Sequence, residues 1–431
     1  MSRVIQRRWP GNPDAPSRRG REPCEYKAYS PDPLVGRKVT LDGDVAADVT
    51  DAEAAINRLN MEASTLADTE ALARLLLRAE SVASSRIEGL EIGARKLLRA
   101  ELAHELGERT LEVTAEEVLG NIDAMSSAIS EVGPGDQITV DTLLRFHSRL
   151  MVSFRDREHA GQLRQKQNWI GGSAYNPCSA AFVPPPPELV PDLLTDLCSF
   201  CNGDSLPAVA QAALAHAQFE TIHPFADGNG RTGRGLIHLV LRRRGLATRV
   251  LPPISLVLAT QANDYVDGLA ATRYHGPATG KEAHEGLNLW IGRFAGACTR
   301  AVQDAASFEQ RVRQIQDRWR ARLGQVRSGS ATELLLHSLP GAPVLTVNGA
   351  AELVGRSFPQ TNEAVSRLAE AGVLSLVTVG RRNRAYEAKD IINAFADLER
   401  QLASPGGDTR SSAPSRPVPP RRPSSLLRLI Q

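Results

Sequence analysis

His223-Pro224-Phe225-Ala226-Asp227-Gly228-Asn229-Gly230-Arg231-Thr232-Gly233-Arg234 is the stretch on which the fold reading turns. The run before it, from Pro207 to Ile222, is Ala-rich and helical in character. Behind it, Leu236, Ile237, Val240 and Leu241 recur at helix spacing. The stretch is therefore a loop between two helices, and its far end opens the second. Pro224 disfavours the α region for His223, which predicts that the first helix stops there. Gly228 and Gly230 let the backbone turn sharply with several N–H groups pointing one way. A helix N-terminus with free N–H groups is an anion site, and Arg231 and Arg234 add two permanent positive charges. Phosphate is the natural guest. Asp227 offers a hard oxygen ligand able to share Mg²⁺ with that phosphate. His223, at the other end of the loop, is the candidate general base. A His beside Pro, a Gly-Asn-Gly turn and two Arg on one helix each have an ordinary structural reading. Their convergence in one short loop favours chemistry.

The chain around this loop has 431 residues, enough for two or three domains. With 42% hydrophobic and 23% charged residues it reads as globular, and a net charge of +2 gives no argument for nucleic acid by itself. No apolar run reaches the length of a membrane span, so no membrane partner is expected. The arginine-rich start has no apolar core for a signal peptide, so a cytoplasmic location is expected. Five cysteines fit free thiols in a reducing compartment. Cys198 and Cys201 form a C-x-x-C within a helical segment, with no second pair to complete a zinc site.

Upstream, Leu75 to Ile92 carries a helical stripe of Leu76, Ala79, Ala83 and Ile87, terminated by Gly89. Glu88 then sits in the last turn, where the helix dipole repels a carboxylate. A compensating cation is required, and Arg234 is available.

The loop resembles the signature of the Fic family, H-P-F-x-[D/E]-G-N-G-R-x-x-R, with every fixed position matched. The upstream segment is similar to that family's inhibitory motif, [S/T]-x-x-x-E-[G/N], on Ser84, Glu88 and Gly89. The resemblance implies that Glu88 pairs with Arg234 and blocks the γ-phosphate position of ATP. It also implies a target-binding flap between Gly161 and Pro187, flanked by Gly161-x-x-Arg164 and Asn168-Trp169-Ile170-Gly171. A hairpin beside a site can capture an extended segment by strand addition. Tyr265 and Leu269, at i,i+4, correspond to residues that wall an adenine pocket in the family, although that spacing is also common in cores. The resemblance spans about residues 30 to 320.

The expected fold class is mainly α: a Fic-type helical core with a small β-hairpin flap, plus a C-terminal winged-helix-like α+β domain. Residues 1–25, rich in Arg, Pro and Gly, are expected to be disordered. A Fic-associated N-terminal region with the inhibitory helix follows at 26–110, then the catalytic core at 111–320. Helical periodicity begins near Asp51. Residues 325–400 read as a separate unit, with helices at 331–339, 348–354 and 359–371 and strands at 345–347, 374–379 and 385–388. Arg356, Arg367, Arg381, Arg382 and Arg384 there can meet phosphates, which makes DNA a candidate partner of 331–398. Glu363 and Glu370 on the would-be recognition helix oppose that. Residues 403–431, full of Ser, Pro and Arg, are expected to be a disordered tail.

The resemblance implies an enzyme, a protein adenylyltransferase that moves AMP from ATP to a Ser, Thr or Tyr hydroxyl of a protein target, itself included. His223 would take the hydroxyl proton and Asp227 would hold Mg²⁺. Gly228, Asn229 and Gly230 would cradle the phosphates, and Arg231 and Arg234 would neutralise them. Rival readings are removal of AMP with Glu88 orienting water, transfer of another phosphate-linked group, and a nucleotide-sensing DNA-binding regulator. A homodimer is a further expectation.

Overall fold

A computed structural model describes residues 2–63, 69–108, 112–152, 157–380 and 383–402. The chain opens with strand β1 (Arg3–Trp9), one helical turn α1 (Arg18–Arg21) and strand β2 (Cys24–Ser30). The strands pair antiparallel, with Arg3 opposite Ser30 and Trp9 opposite Cys24. Disorder over 1–25, expected from composition, is thus overturned. Long-range contacts outweigh the Arg/Pro/Gly bias. Ala28 and Tyr29 are buried, and the Tyr29 N–H donates to Val183 O at 2.9 Å. Trp9 meets Trp169 edge-on at 5.4 Å. Cys24 and Cys178 form a disulfide across a Cα separation of 6.1 Å, within the usual range. The expectation of five free thiols is corrected accordingly. Cys198, Cys201 and Cys298 are free and buried, and burial pushes the Cys198 thiol up to about 12, far from a reactive value.

Among the described residues eleven α-helices follow before the C-terminal segment. They are α2 (Gly43–Ala63), α3 (Thr69–Ile87), α4 (Ala94–Glu105), α5 (Val113–Glu131) and α6 (Val140–Leu150), then α7 (Val190–Cys201) and α8 (Ala208–Ile222). The signature loop joins α8 to α9 (Asn229–Arg243); α10 (Ile254–Thr260), α11 (Ala262–Ala271) and the long α12 (Lys281–Leu323) complete the set. α2 starts well before Asp51. Its first turns carry Asp42 N–H on the Asn288 side chain of α12 (2.9 Å), a tertiary anchor that apolar periodicity does not register.

Every residue of α8 is buried, which explains its alanines: small side chains on all faces let neighbours approach from all sides. The approach is closest at Gly233 on α9. A Cβ there would lie 2.4 Å from Glu220 Oε1 and 2.9 Å from the Phe219 ring, so only glycine allows α8 and α9 to pack this way.

α3 crosses α9 with matched four-residue steps. Glu80 meets His238 (2.8 Å), Ser84 and Glu88 meet Arg234, and Glu88 stands over Gly230. Residues four apart on one helix face lie one above another, so both helices present a single polar row. Glu80 and His238 are fully buried, and Glu80 also accepts from the Ser255 N–H (2.7 Å) at the start of α10. That buried cluster fixes the register of α3 on α9.

The C-terminal segment comprises α13 (Ala331–Ser338), β3 (Val344–Leu345), α14 (Val347–Val354), α15 (Phe358–Glu370), β4 (Ser375–Val379), β5 (Asn383–Glu387) and α16 (Lys389–Leu402). Its antiparallel sheet has the order β3-β5-β4. Helix and strand positions follow the sequence expectation within a few residues, but the expected separateness does not hold. Leu72, Leu75, Leu76 and Ala79 of α3 share one core with Trp319, Leu335 and Phe395. Arg78 donates to Gly341 O (2.6 Å), and Arg311 pairs with Asp397. Arg381, Arg382 and the tail 403–431 lie outside the described residues.

Candidate active site

α8 ends where Pro224 predicts, with the His223 N–H still donating to Phe219 O at 2.8 Å. His223 itself turns left-handed (φ 50°, ψ 60°), a conformation that costs a non-glycine residue roughly 1–3 kcal/mol and persists only when the surroundings impose it. They do. Arg164 Nε donates to His223 O at 2.8 Å, and Nη2 of the same guanidinium reaches Pro185 O and Ile222 O. Asn168 donates to the carbonyls of His223 and Phe225. The flap's flanking residues therefore work as clamps on the signature loop, a role their spacing gave no sign of.

The His223 ring has its Nδ1 buried without a partner among the described residues. Burial, helped by the Arg164 charge, pushes its pKa down to about 4 against the smaller opposing pull of Glu88. His223 is neutral at pH 7, as a base must be.

A second histidine, absent from the sequence reading, supports the loop from below. Fully buried His147 on α6 accepts the Gly161 N–H at Nδ1 (3.0 Å), which leaves Nε2 as donor to Asp227 O (3.0 Å). Its ring stacks on Phe225 at 3.8 Å, and burial pushes its pKa to about 4. Asn229 closes the loop on itself: Oδ1 accepts the Phe225 N–H (2.8 Å) and Nδ2 returns to Phe225 O (2.9 Å). Its side chain is thus committed to shape, and the backbone of Gly228 to Gly230 is what faces an anion. Gly228 caps α9 in the left-handed region (φ 73°), and the first N–H groups of a helix have no intrahelical acceptors.

Asp227 is exposed, with Oδ1 on the Gly228 N–H at 2.6 Å. Its other oxygen stays available to a hard cation. Among the described residues no three His, Cys, Asp or Glu converge as a ready-made metal cage. A single carboxylate suits Mg²⁺, which is commonly held by one or two carboxylates and the substrate's own phosphates. The donor set fits.

Arg231 and Arg234 are both buried on α9. Arg234 is fully engaged: Nε on Ser84 Oγ (2.9 Å), Nη2 on Ser84 O (2.8 Å) and on Glu88 Oε1 (2.7 Å). Glu88 follows the last residue of α3, and Gly89 (φ +81°) turns the chain away. Burial raises the Glu88 pKa, but Arg234, with Arg231 and His223, outweighs it and holds the carboxyl below its ordinary range. A Cβ on Gly230 would lie 1.9 Å from Glu88 Oε1, so the carboxylate occupies the mouth of the anion cradle.

Tyr265 lies elsewhere than an open pocket. It is 6% exposed, its hydroxyl bonded to His216 Nε2 (2.8 Å) and its ring against Trp290. The i,i+4 pair Tyr265 and Leu269 is a core pair here, both side chains buried. Glu220, one turn before His223, escaped the sequence reading; burial pushes its pKa up to about 7.

Residues 137–241 match the model of the Fic/DOC family, and residues 46–130 match that of the Fic/DOC family N-terminal region. Protein adenylyltransferase fic-1 of Caenorhabditis elegans is 34% identical over 133 residues, 30% of this chain and 23% of the relative. Protein adenylyltransferase Fic of Culex quinquefasciatus is 30% identical over 193 residues, 44% of this chain and 33% of the relative. The matches thus span between about a quarter and a third of these relatives. A solved Fic family protein from Desulfovibrio desulfuricans G20 aligns with a TM-score of 0.49 at 22% identity, over 81% of this chain and 97% of its own.

Proposed function

With a Fic/DOC domain at 137–241 and its N-terminal companion at 46–130, we propose that this chain transfers AMP from ATP to a hydroxyl of a protein, and that Glu88 holds the resting activity low. The target oxygen attacks the α-phosphorus, the bond to the β-phosphate oxygen breaks, pyrophosphate leaves, and the hydroxyl proton passes to His223. The neutral imidazole with its unpartnered Nδ1 is the observation that carries this reading. Asp227 would hold Mg²⁺, which when bound neutralises phosphate charge. The amides of Gly228 to Gly230 and the guanidinium groups of Arg231 and Arg234 stabilise the negative charge that the departing pyrophosphate carries. Reaction at a Ser, Thr or Tyr, and residence in the cytoplasm, belong to the same reading.

The autoinhibited state follows from competition. Arg234 has one guanidinium, and Glu88 and the outer phosphate of ATP both require it. Labelled ATP incubated with Glu88→Gly and candidate acceptor proteins should give labelled protein well above the native chain. Absence of label from both would sink the assignment.

One observation favours a second reading, removal of AMP. Glu88 Oε2 has no partner among the described residues, and that free oxygen is able to orient a water. Incubation of an AMP-bearing protein with native chain and Glu88→Gly separates the two. For DNA contact through 331–398 the geometry gives less: Arg356 and Arg367 donate to the carbonyls of Gly329, Leu323 and Gln325, and Glu363 and Glu370 share α15.

A further inference from the structure

A cavity of about 490 Å³ opens between β2 and the flap. One wall is β2 from Glu25 to Tyr29, and another is the flap segment from Ala180 to Val183, bridged at Phe182 to Ile170. Arg273 and His275, just after α11, close a third side. Arg273 is the unusual member. Its guanidinium lies flat over the Phe182 ring, 3.6 Å from the centroid, and Nε makes only a long bond to Thr221 Oγ1 (3.4 Å). Among the described residues no carboxylate comes within ion-pair distance of it. Burial pulls its pKa down to about 10, opposed first by the charge of Glu220, a buried carboxyl that makes no ion pair with it. Lys27 adds a second positive charge to the cavity, and Glu25, the one acid on its wall, is exposed and bonded to Gln6 on the hairpin.

A desolvated cation held flat by a ring, with no carboxylate in direct contact, is prepared for one supplied from outside. The guanidinium contacts Thr221, two residues from His223 on the same chain segment. An extended segment advances about 3.3 Å per residue. A side chain one or two positions from an acceptor hydroxyl at His223 therefore reaches this cavity. We propose that the cavity is a specificity subsite for an acidic side chain of the target, beside the modified hydroxyl, with Arg273 as the specificity-determining residue and Lys27 as its auxiliary. This deepens the proposed protein-directed transfer and rests on it. The nucleotide's phosphates already have Arg231, Arg234 and the amide cradle, none of which line the cavity.

The test uses the full chain carrying Glu88→Gly and two fluorescein-labelled peptides, Glu-Glu-Val-Ser-Val-Glu-Glu and its counterpart with glutamine at every glutamate. Anisotropy reads binding, and mass spectrometry after addition of ATP and Mg²⁺ reads transfer. The acidic peptide should bind about tenfold more tightly than the amide peptide, a difference of about 1.4 kcal/mol. Adding Arg273→Met should erase the preference, Arg273→Lys should keep part of it, and Lys27→Gln, on an exposed strand position, should weaken it. Equal binding of the two peptides, or a preference that survives Arg273→Met, overturns the subsite. Displacement of the acidic peptide by ATP alone, lost in Arg273→Met, would assign the cavity to a nucleotide phosphate and overturn it too. Preferential binding without any transfer would leave the subsite standing and count against the AMP-transfer reading instead.

Discussion

At the scale of single residues the site is a matter of charges kept where they are uncomfortable. His223 lies in desolvated surroundings that push its pKa to about 4, and in the proposed transfer it would serve as a base only while neutral. The acid limb of kcat/KM should therefore fall near pH 4 rather than near 6.5, with full activity above it; a limb centred on 6.5 would show that the free imidazole is not buried as described. His223→Ala should abolish transfer yet retain ATP binding, measured by calorimetry, because the amide cradle is untouched. Glu88 and Arg234 give an asymmetric pair of outcomes. Glu88→Gly raises transfer, whereas Arg234→Ala also removes a phosphate ligand and stays inactive. The Glu88 carboxyl is depressed, so its contribution to stability is present at neutral pH and is lost as pH falls through a value below the usual carboxylate range. The side chain is 38% exposed, and solvent keeps that contribution small. Much of this was legible from twelve consecutive residues, since base, carboxylate, glycines and arginines are local. His147, Arg164 and Asn168 were not legible. Each acts by hydrogen bonding to a backbone carbonyl or amide far along the chain, and such bonds leave no pattern in sequence.

At the scale of elements, two devices fix the site: the polar row between α3 and α9, and the hairpin stapled to the flap. Glu80 is fully buried and meets His238 and Ser255. Glu80→Ala leaves buried donors without acceptors, at about 1–3 kcal/mol for each orphaned group. A lowered thermal midpoint is expected, together with raised transfer, because Ser84 and Glu88 ride on the same helix face. Unchanged midpoint and activity would show that the row carries no load. The staple is Cys24–Cys178, which closes a separation of 154 residues. Cys24→Ser should cost roughly 2–4 kcal/mol, read as a shift of the denaturation midpoint. Cysteine count alone argued for free thiols, and composition alone argued for disorder over R-V-I-Q-R-R-W. Both errors share a cause. Pairing partners 15 to 154 residues away decide these structures, and a reading by windows sees neither.

At the scale of the molecule, α3 is gripped along its length. Its later turns, with Glu80, Ser84 and Glu88, lie on α9; its earlier turns, with Leu72, Leu75, Leu76 and Ala79, are shared with the C-terminal segment. The chain order of the C-terminal helices and strands could be read from periodicity, but not this shared core, because a surface stripe looks the same whether it packs on its own unit or on a distant one. Under the proposed autoinhibition by Glu88, this arrangement would make the C-terminal segment part of the inhibitory apparatus. Phe395 on α16 is fully buried in that core, and Phe395→Ala costs about 3–5 kcal/mol by cavity formation. In the fraction that remains folded, α3 is held less firmly against α9, Glu88 leaves Arg234 more often, and transfer should rise. Lost stability alone would instead lower activity in proportion to unfolding. The double variant decides where the effect acts. Two changes that relieve one block do not add, whereas changes at independent sites do. Phe395→Ala placed on Glu88→Gly should therefore bring no further increase in rate per folded molecule. An equal gain in both backgrounds would mean that the C-terminal segment restrains the site by a route that does not pass through α3.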